Sequence, residues 1–339
     1  MVKAISTLLK IEIKRTEKKH HLKSKKPIDP ILNLENKIYN FDNELILIYQ
    51  MGKVASSTIY KSLIKRSFNT LHFHHLTDKT SSQLEYITKH SYVPVDFIES
   101  ILRGNLRSKF LLNRIFLNDS EHLKNIKIIS IVREPVGYLI SAFFQNYLFF
   151  YNYFSDKSEI NEKYSIKILN PLKKYFLNYV NTYLKIYTCN NFIDDDNYQK
   201  TWSITKRADL RHFLLLCRWP LIWFDREMNS MFDFDIYNFK FDKSSGFNTY
   251  DINSTPKLVF KMEKFKDIAK KEIGSFVNDD KFEIINDNVS GEKHYKSLYK
   301  EFCSSITLPE EFIELQYSSK YAKFFYTNQE LNRFKSKWT

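Results

Sequence analysis

In the run Met51-Gly-Lys-Val-Ala-Ser-Ser-Thr58, Lys53 precedes three hydroxyl side chains, Ser56, Ser57 and Thr58. If a helix starts there, its unpaired N–H groups and the positive end of its dipole add to that cation and form a site for a phosphate-sized anion. A Walker A loop reads Gly-x-x-x-x-Gly-Lys-Ser/Thr, whereas Gly52-Lys53 has no second glycine five positions earlier and the hydroxyls begin only three residues after the lysine. A well-capped helix start, with no ligand, is the plain alternative. Arg133 ends a second apolar run, and Ser141 follows eight residues later. An arginine fork with a hydroxyl about two helical turns on suits a second phosphate. A surface arginine before a helix-start proline, Pro135, would look the same. His72, His74 and His75 in Leu71-His-Phe-His-His-Leu76 are candidates for proton transfer. A strand there would put His72 and His74 on one face and His75 on the other. Such histidines also serve in packing, or meet by chance as a metal site.

These groups need elements to hold them. Glu44-Leu-Ile-Leu-Ile-Tyr-Gln50 and Ile126-Lys-Ile-Ile-Ser-Ile-Val132 read as strands buried on both faces. Each leads into a helical pattern: Ile59 with Leu63 and Tyr60 with Ile64 after the first, and the stretch holding Ser141 to Asn146 after the second. A third strand is predicted at Lys257-Leu-Val-Phe-Lys-Met262, after a polar loop containing Gly246, Asn248, Asn253 and Pro256. Residues 150–215, rich in Tyr, Asn and Lys, read as helices and connections of no fixed order. Strands alternating with helices predict an α/β fold with a central, mostly parallel sheet flanked by helices and carrying helical insertions. The organisation expected is a basic lead-in over residues 1–40 and a single α/β domain over 41–330.

The motifs together resemble the sulfotransferases that use 3′-phosphoadenosine 5′-phosphosulfate (PAPS), and more closely a bacterial branch of capsular polysaccharide sulfotransferases. Tyr49-Gln-Met-Gly-Lys-Val-Ala-Ser-Ser-Thr58 is similar to that family's 5′-phosphosulfate loop, and Val132-Arg-Glu-Pro135 through Ser141-Ala-Phe-Phe-Gln-Asn146 to its 3′-phosphate segment. Further likeness lies in Trp223-Phe-Asp-Arg-Glu227, Phe241-Asp-Lys243 with Gly246, Glu292-Lys-His-Tyr295, Leu298-Tyr-Lys-Glu-Phe302 and Tyr317-Ser-Ser-Lys-Tyr-Ala-Lys-Phe-Phe-Tyr326. The branch usually has Asn-Lys-Trp-Tyr where this chain has Glu292-Lys-His-Tyr295. The glycine-rich basic segment of the cytosolic small-molecule enzymes has no counterpart here.

The resemblance implies a P-loop-like fold and PAPS as co-substrate, held by Gly52, Lys53, Val54, Ala55, Ser56, Ser57 and Thr58 at the 5′ end and by Arg133 and Ser141 at the 3′-phosphate. It implies Lys53 at the bridging oxygen, no metal, and a carbohydrate acceptor, polysaccharide or glycolipid. A similar His-x-His in related enzymes makes His74 the first candidate base and His72 the second. Glu227 and Glu263 are reserves. Trp223 to Glu227 also reads as an aromatic anchor with a charged helix start, and Phe143, Phe144, Tyr147 and Phe149 read as core, one of them open to stacking on adenine.

Composition bounds the alternatives. A net charge of +13 points to an anionic partner, and 43% hydrophobic residues can fill a large core. Lys14, Arg15, Lys18, Lys19, Lys23, Lys25 and Lys26 form a basic run that reads as a solvated lead-in or as an arm for peripheral contact with a polymer or membrane. The three cysteines, Cys189, Cys217 and Cys303, have neither disulfide-framework nor metal-ligand spacing. No apolar run is long enough to span a bilayer, so a cytoplasmic location is expected, with no nucleic acid as partner. Two rivals remain. A P-loop kinase or nucleotide hydrolase requires an acidic magnesium ligand at a strand end, and a non-catalytic polyanion-binding protein requires only a basic surface. Oligomeric state is not written in the sequence.

Overall fold

The computed structural model of the chain describes residues 44–77, 126–147, 166–190, 207–252, 254–285 and 295–339, with positions 80, 104, 105, 108, 111 and 150. The basic run at 14–26, Phe149, Asn253, residues 292–294 and the side chain of Cys189 lie outside the described residues.

The two apolar β-branched runs form adjacent parallel strands. Strand β1 (Leu45–Tyr49) is buried at every position and pairs with β3 (Ile126–Val132), from Leu45 opposite Ile126 to Ile48 opposite Ile129. Between them in sequence come helix α1 (Ser56–Lys65) and the short strand β2 (Thr70–Phe73), which pairs parallel with the other edge of β1. After β3 the chain forms helix α2 (Pro135–Gln145), then α3 (Leu169–Asn190) and α4 (Ala208–Trp223), which place part of the 150–215 stretch. Helix α4 widens into a π-helical turn at Phe224–Asn229. Strands β4 (Phe247–Ile252) and β5 (Thr255–Lys261) complete the sheet, followed by α5 (Phe265–Phe276), α6 (Lys296–Ser305), α7 (Glu310–Tyr317), α8 (Lys320–Phe325) and α9 (Asn328–Trp338).

The sheet order is β2-β1-β3-β5-β4, parallel except for β4, which runs antiparallel along β5. The fold is thus α/β with a central, mostly parallel sheet. The polar loop expected before β5 is instead this hairpin partner. Asn248 lies within β4, and Pro256 within β5 opposite Asp251. An edge strand leaves one row of backbone groups to water and tolerates polar residues, so the hydrophobic pattern that marks a central strand is missing.

Burial of apolar side chains such as Leu47, Ile48, Ile128 and Ile131 stabilises the sheet by about 1.5–3 kcal/mol per residue relative to exposure. Chain past residue 330 contributes as well. Thr327 and Glu330 form a capping box at the start of α9, and Trp338 is 1% exposed in the core. Lys261, at the carboxyl end of β5, donates to both oxygens of Glu330 at 2.7 and 2.9 Å and to the carbonyl of Lys243 at 2.6 Å, fastening α9 to the sheet. Among the described residues, Cys217 and Cys303 are free thiols, and no helix is long and apolar enough to cross a membrane.

Candidate active site

The path from β1 leads through α1 to one side of the sheet, while the path from β3 leads toward β5 on the other. Where connections diverge from adjacent parallel strands, a crevice opens at their carboxyl ends. A cleft of about 840 Å³ lies here, and each parallel strand delivers a residue to it: Gly52 after β1, His74 after β2, Arg133 after β3 and Met262 after β5. The antiparallel strand β4 delivers none among the described lining residues.

The loop from Gly52 to Thr58 lines the cleft in full, Val54 included. Lys53 (φ 66°) and Ala55 (φ 61°) adopt left-handed conformations that cost a non-glycine residue roughly 1–2 kcal/mol. Alternation of this kind turns successive N–H groups toward one point, which is the geometry of an anion nest. Ala55 is the N-cap of α1 and makes no side-chain cap bond, so the capped-helix alternative does not describe this loop. The hydroxyls of Ser56, Ser57 and Thr58 follow on the first turn of α1, and all three residues line the cleft.

Arg133 binds this loop to β3. Its Nη1 donates to the Lys53 carbonyl at 2.8 Å, and it is hydrogen-bonded to Tyr299 of α6. Of the five N–H donors of a guanidinium these two contacts use only part. Ser141 also lines the cleft, roughly 9 Å along α2 from its first residue at 1.5 Å per residue. That helix starts sharply: Pro135 occupies the first position and Glu134 Oε2 accepts from the Val136 N–H at 3.0 Å. The cap folds back so closely that a Cβ at Gly137 would stand 2.2 Å from Glu134 Oε1.

Behind Arg133 lies a cluster of tyrosines. The Tyr321 hydroxyl accepts from the Arg133 N–H at 3.1 Å and donates to the Arg133 carbonyl at 2.9 Å. Tyr317 donates to Glu134 at 2.6 Å, and Tyr326 to Glu263 at 3.0 Å, while Glu263 accepts from the Glu134 N–H at 2.8 Å. Desolvation, with the charge of Glu134, raises the Glu263 carboxyl above its ordinary range. Glu263 supports the Arg133 corner and does not line the cleft.

The histidine segment departs from the strand expected there. β2 ends at Phe73, and His74 and His75 occupy the turn beyond it, so both line the cleft instead of facing opposite sides. His72 remains in the strand, outside the lining, with its ring 4.6 Å from that of His74. Nδ1 of His74 lies 3.1 Å from the Gln50 carbonyl, which can only accept. The ring therefore carries its proton on Nδ1, and Nε2 is the basic nitrogen of the neutral form. His74 Nε2 lies 3.9 Å from the position a Cβ would take on Gly52, so the imidazole stands beside the loop. His75 Nε2 is 2.8 Å from Asn105 Oδ1, and burial lowers its pKa, favouring the neutral ring.

The last residue of α4 and the π-helical turn that follows hold this segment in place. Trp223 Nε1 donates to the His74 carbonyl at 2.9 Å. Glu227, fully buried, accepts from the Leu76 and Thr77 N–H groups at 2.8 and 3.2 Å, from the Thr77 hydroxyl at 2.8 Å, and from Tyr49 and Thr80. Trp223 to Glu227 is an anchor, as one reading of the sequence has it, but it continues the end of α4 instead of starting a helix. Glu227 does not line the cleft. Phe143, Phe144 and Tyr147 are core, each at most 1% exposed, and Phe144 also borders the cleft.

Sequence reasoning missed Lys296 and Lys300, which line the cleft one turn apart on α6, and Leu215, Leu216 and Trp219, which line it from α4. The spacing of the lysines on a helical pattern was the available signal for the first pair. The described lining holds four fixed cations (Lys53, Arg133, Lys296 and Lys300) and no aspartate or glutamate.

Residues 216–327 match the NKWYS family model, described as "Putative capsular polysaccharide synthesis protein". The match spans about a third of the chain. It takes in the residues that support the histidine turn and Arg133, whereas Gly52 to Thr58, His74, Arg133 and Ser141 lie outside it. No curated protein and no solved structure matches the chain.

Proposed function

We propose that the chain is a sulfotransferase that moves a sulfuryl group from PAPS to a hydroxyl of a carbohydrate in capsule synthesis. The observation that carries this reading is the composition of the cleft: a left-handed loop with an uncapped helix start, four cations and no carboxylate among its described lining residues. A magnesium-dependent kinase would want an acidic ligand there. A ligand carrying several phosphate-type charges matches a cleft lined by four cations, and the likeness to a family named for capsular polysaccharide synthesis favours a sugar acceptor.

The residues present fit PAPS. The loop from Gly52 to Thr58 would hold the 5′ end, and Arg133 and Ser141 the 3′-phosphate. When bound, PAPS supplies the sulfuryl group, whose bond to the 5′-phosphate oxygen breaks as its bond to the acceptor oxygen forms. Lys53 compensates the charge that develops on the leaving oxygen, in a site arranged before the reaction begins. His74 takes the hydroxyl proton on Nε2, its tautomer set by the Gln50 carbonyl.

Calorimetric titration with 3′-phosphoadenosine 5′-phosphate tests the donor site, with ATP and magnesium as the comparison. The bisphosphate is expected to bind preferentially, and Arg133→Ala to weaken it at least tenfold, in keeping with about 1.5–3 kcal/mol for a hydrogen bond to a charged group. Preferential binding of magnesium–ATP would favour the kinase reading, and binding unaffected by the substitution would remove Arg133 from the site.

A further inference from the structure

If the cleft binds PAPS as proposed above, one of its walls holds none of the residues assigned to the donor, although Gln145 and Asn146 follow Ser141 in the segment likened to the 3′-phosphate site. Leu215, Leu216 and Trp219 face it from α4, and Gln145 and Asn146 border it at the end of α2. None of the five carries a charge. From this wall we infer the acceptor subsite, and that the sugar unit it takes is uncharged.

Its position follows from helix geometry. Trp219 precedes Trp223 by one turn on the same face of α4, a displacement of about 6 Å along the axis. Trp223 holds the carbonyl of His74 at 2.9 Å, so the Trp219 ring stands one turn from the anchor of the proposed base. A hydroxyl resting on this wall is therefore near the group that would take its proton.

The chemistry of the wall narrows the ligand. An aromatic ring flanked by leucines offers a flat apolar surface to the C–H face of a pyranose, and the two amides can donate to and accept from the hydroxyls at its rim. Trp219 is 9% exposed, and Leu215 and Leu216 are 7% and 6% exposed, so the ring is held firmly with only a small part of its surface at the cleft. Charge points the same way. A 3′-phosphate carries about two negative charges and a phosphosulfate two more. Lys53, Arg133, Lys296 and Lys300 can balance that total, which leaves a carboxylate or sulfate on the reacting sugar without a counter-charge in the described lining.

Saturation-transfer NMR on the full chain loaded with 3′-phosphoadenosine 5′-phosphate tests this, with methyl hexopyranosides against methyl hexuronosides as probes. Signal from the neutral glycosides, at least fivefold above that from the uronosides, is expected. Trp219→Ala should abolish it, and Trp219→Phe should keep most of it. Bisphosphate affinity by calorimetry should change less than twofold in both variants, which also reports that they fold. Stronger signal from the uronosides, or none from any glycoside, overturns the inference. A tenfold loss of bisphosphate affinity in Trp219→Ala also overturns it, because the ring would then belong to the donor. Failure of the wild type to bind the bisphosphate at all would instead bring down the donor reading on which the subsite rests.

Discussion

The loop at residues 50–58 and the segment at 216–327 serve the same cleft in different ways. The loop acts through its own backbone and side chains, with left-handed turns at Lys53 and Ala55 and hydroxyls on the next helical turn. The later segment lines the cleft with residues such as Trp219, Lys296 and Lys300 and also braces it from behind. Trp223 and Glu227 fix the turn that bears His74, and Tyr321 fixes both backbone polar groups of Arg133. In this molecule the stretch matched by the family model holds both the supports of the histidine turn and Arg133 and part of the cleft wall, whereas the loop at 52–58, His74, Arg133 and Ser141 lie outside it.

Three substitutions separate touching from supporting. The largest effect on catalysis is expected from His74→Ala, which should lower turnover by about 10²- to 10⁴-fold, the usual contribution of a positioned acid or base. Its bisphosphate affinity should stay within twofold of wild type. A fall in affinity without a fall in turnover would make His74 part of the donor site.

Glu227→Ala should have the largest effect on stability. It strands donors from Tyr49, Leu76, Thr77 and Thr80 around a fully buried cavity, and a loss of about 3–5 kcal/mol in chemical denaturation is expected. An unfolding midpoint close to that of wild type would mean that the turn carrying His74 is held by other contacts.

The smallest of the three effects is expected from Tyr321→Phe. It removes one hydroxyl that makes two bonds to Arg133, each contributing about 0.5–1.5 kcal/mol net. A three- to thirtyfold loss of bisphosphate affinity should result, with turnover at saturating donor unchanged. Equal losses in turnover and affinity would show that the hydroxyl does more than position the arginine.

Much of this division could be read from the sequence, and physics explains the remainder. Strands β1, β3 and β5 announce themselves because buried parallel strands are continuous apolar runs, and the loop at residues 52–58 because its residues are neighbours in the chain. Strand β4 is polar along its exposed edge and gives no such signal. His75 reaches the cleft only because β2 stops at Phe73, a boundary that alternation of residue types does not mark. Trp219, Lys296 and Lys300 arrive on helices whose docking depends on tertiary packing, so no local pattern connects them with Lys53.

The bond of Tyr321 to Arg133 joins residues 188 positions apart, and its hydroxyl also lies 4.0 Å from the sulfur of Met51, 270 positions away. Such closures come late, because a long intervening loop must lose its freedom before the contact can form. On the ribosome, Met51 with the loop that follows it and Arg133 are made well before the tyrosine that contacts both. The nascent chain thus holds the residues of the proposed anion site without their final geometry, which comes only when α8 docks, so affinity for the proposed nucleotide would become a readout of completed folding.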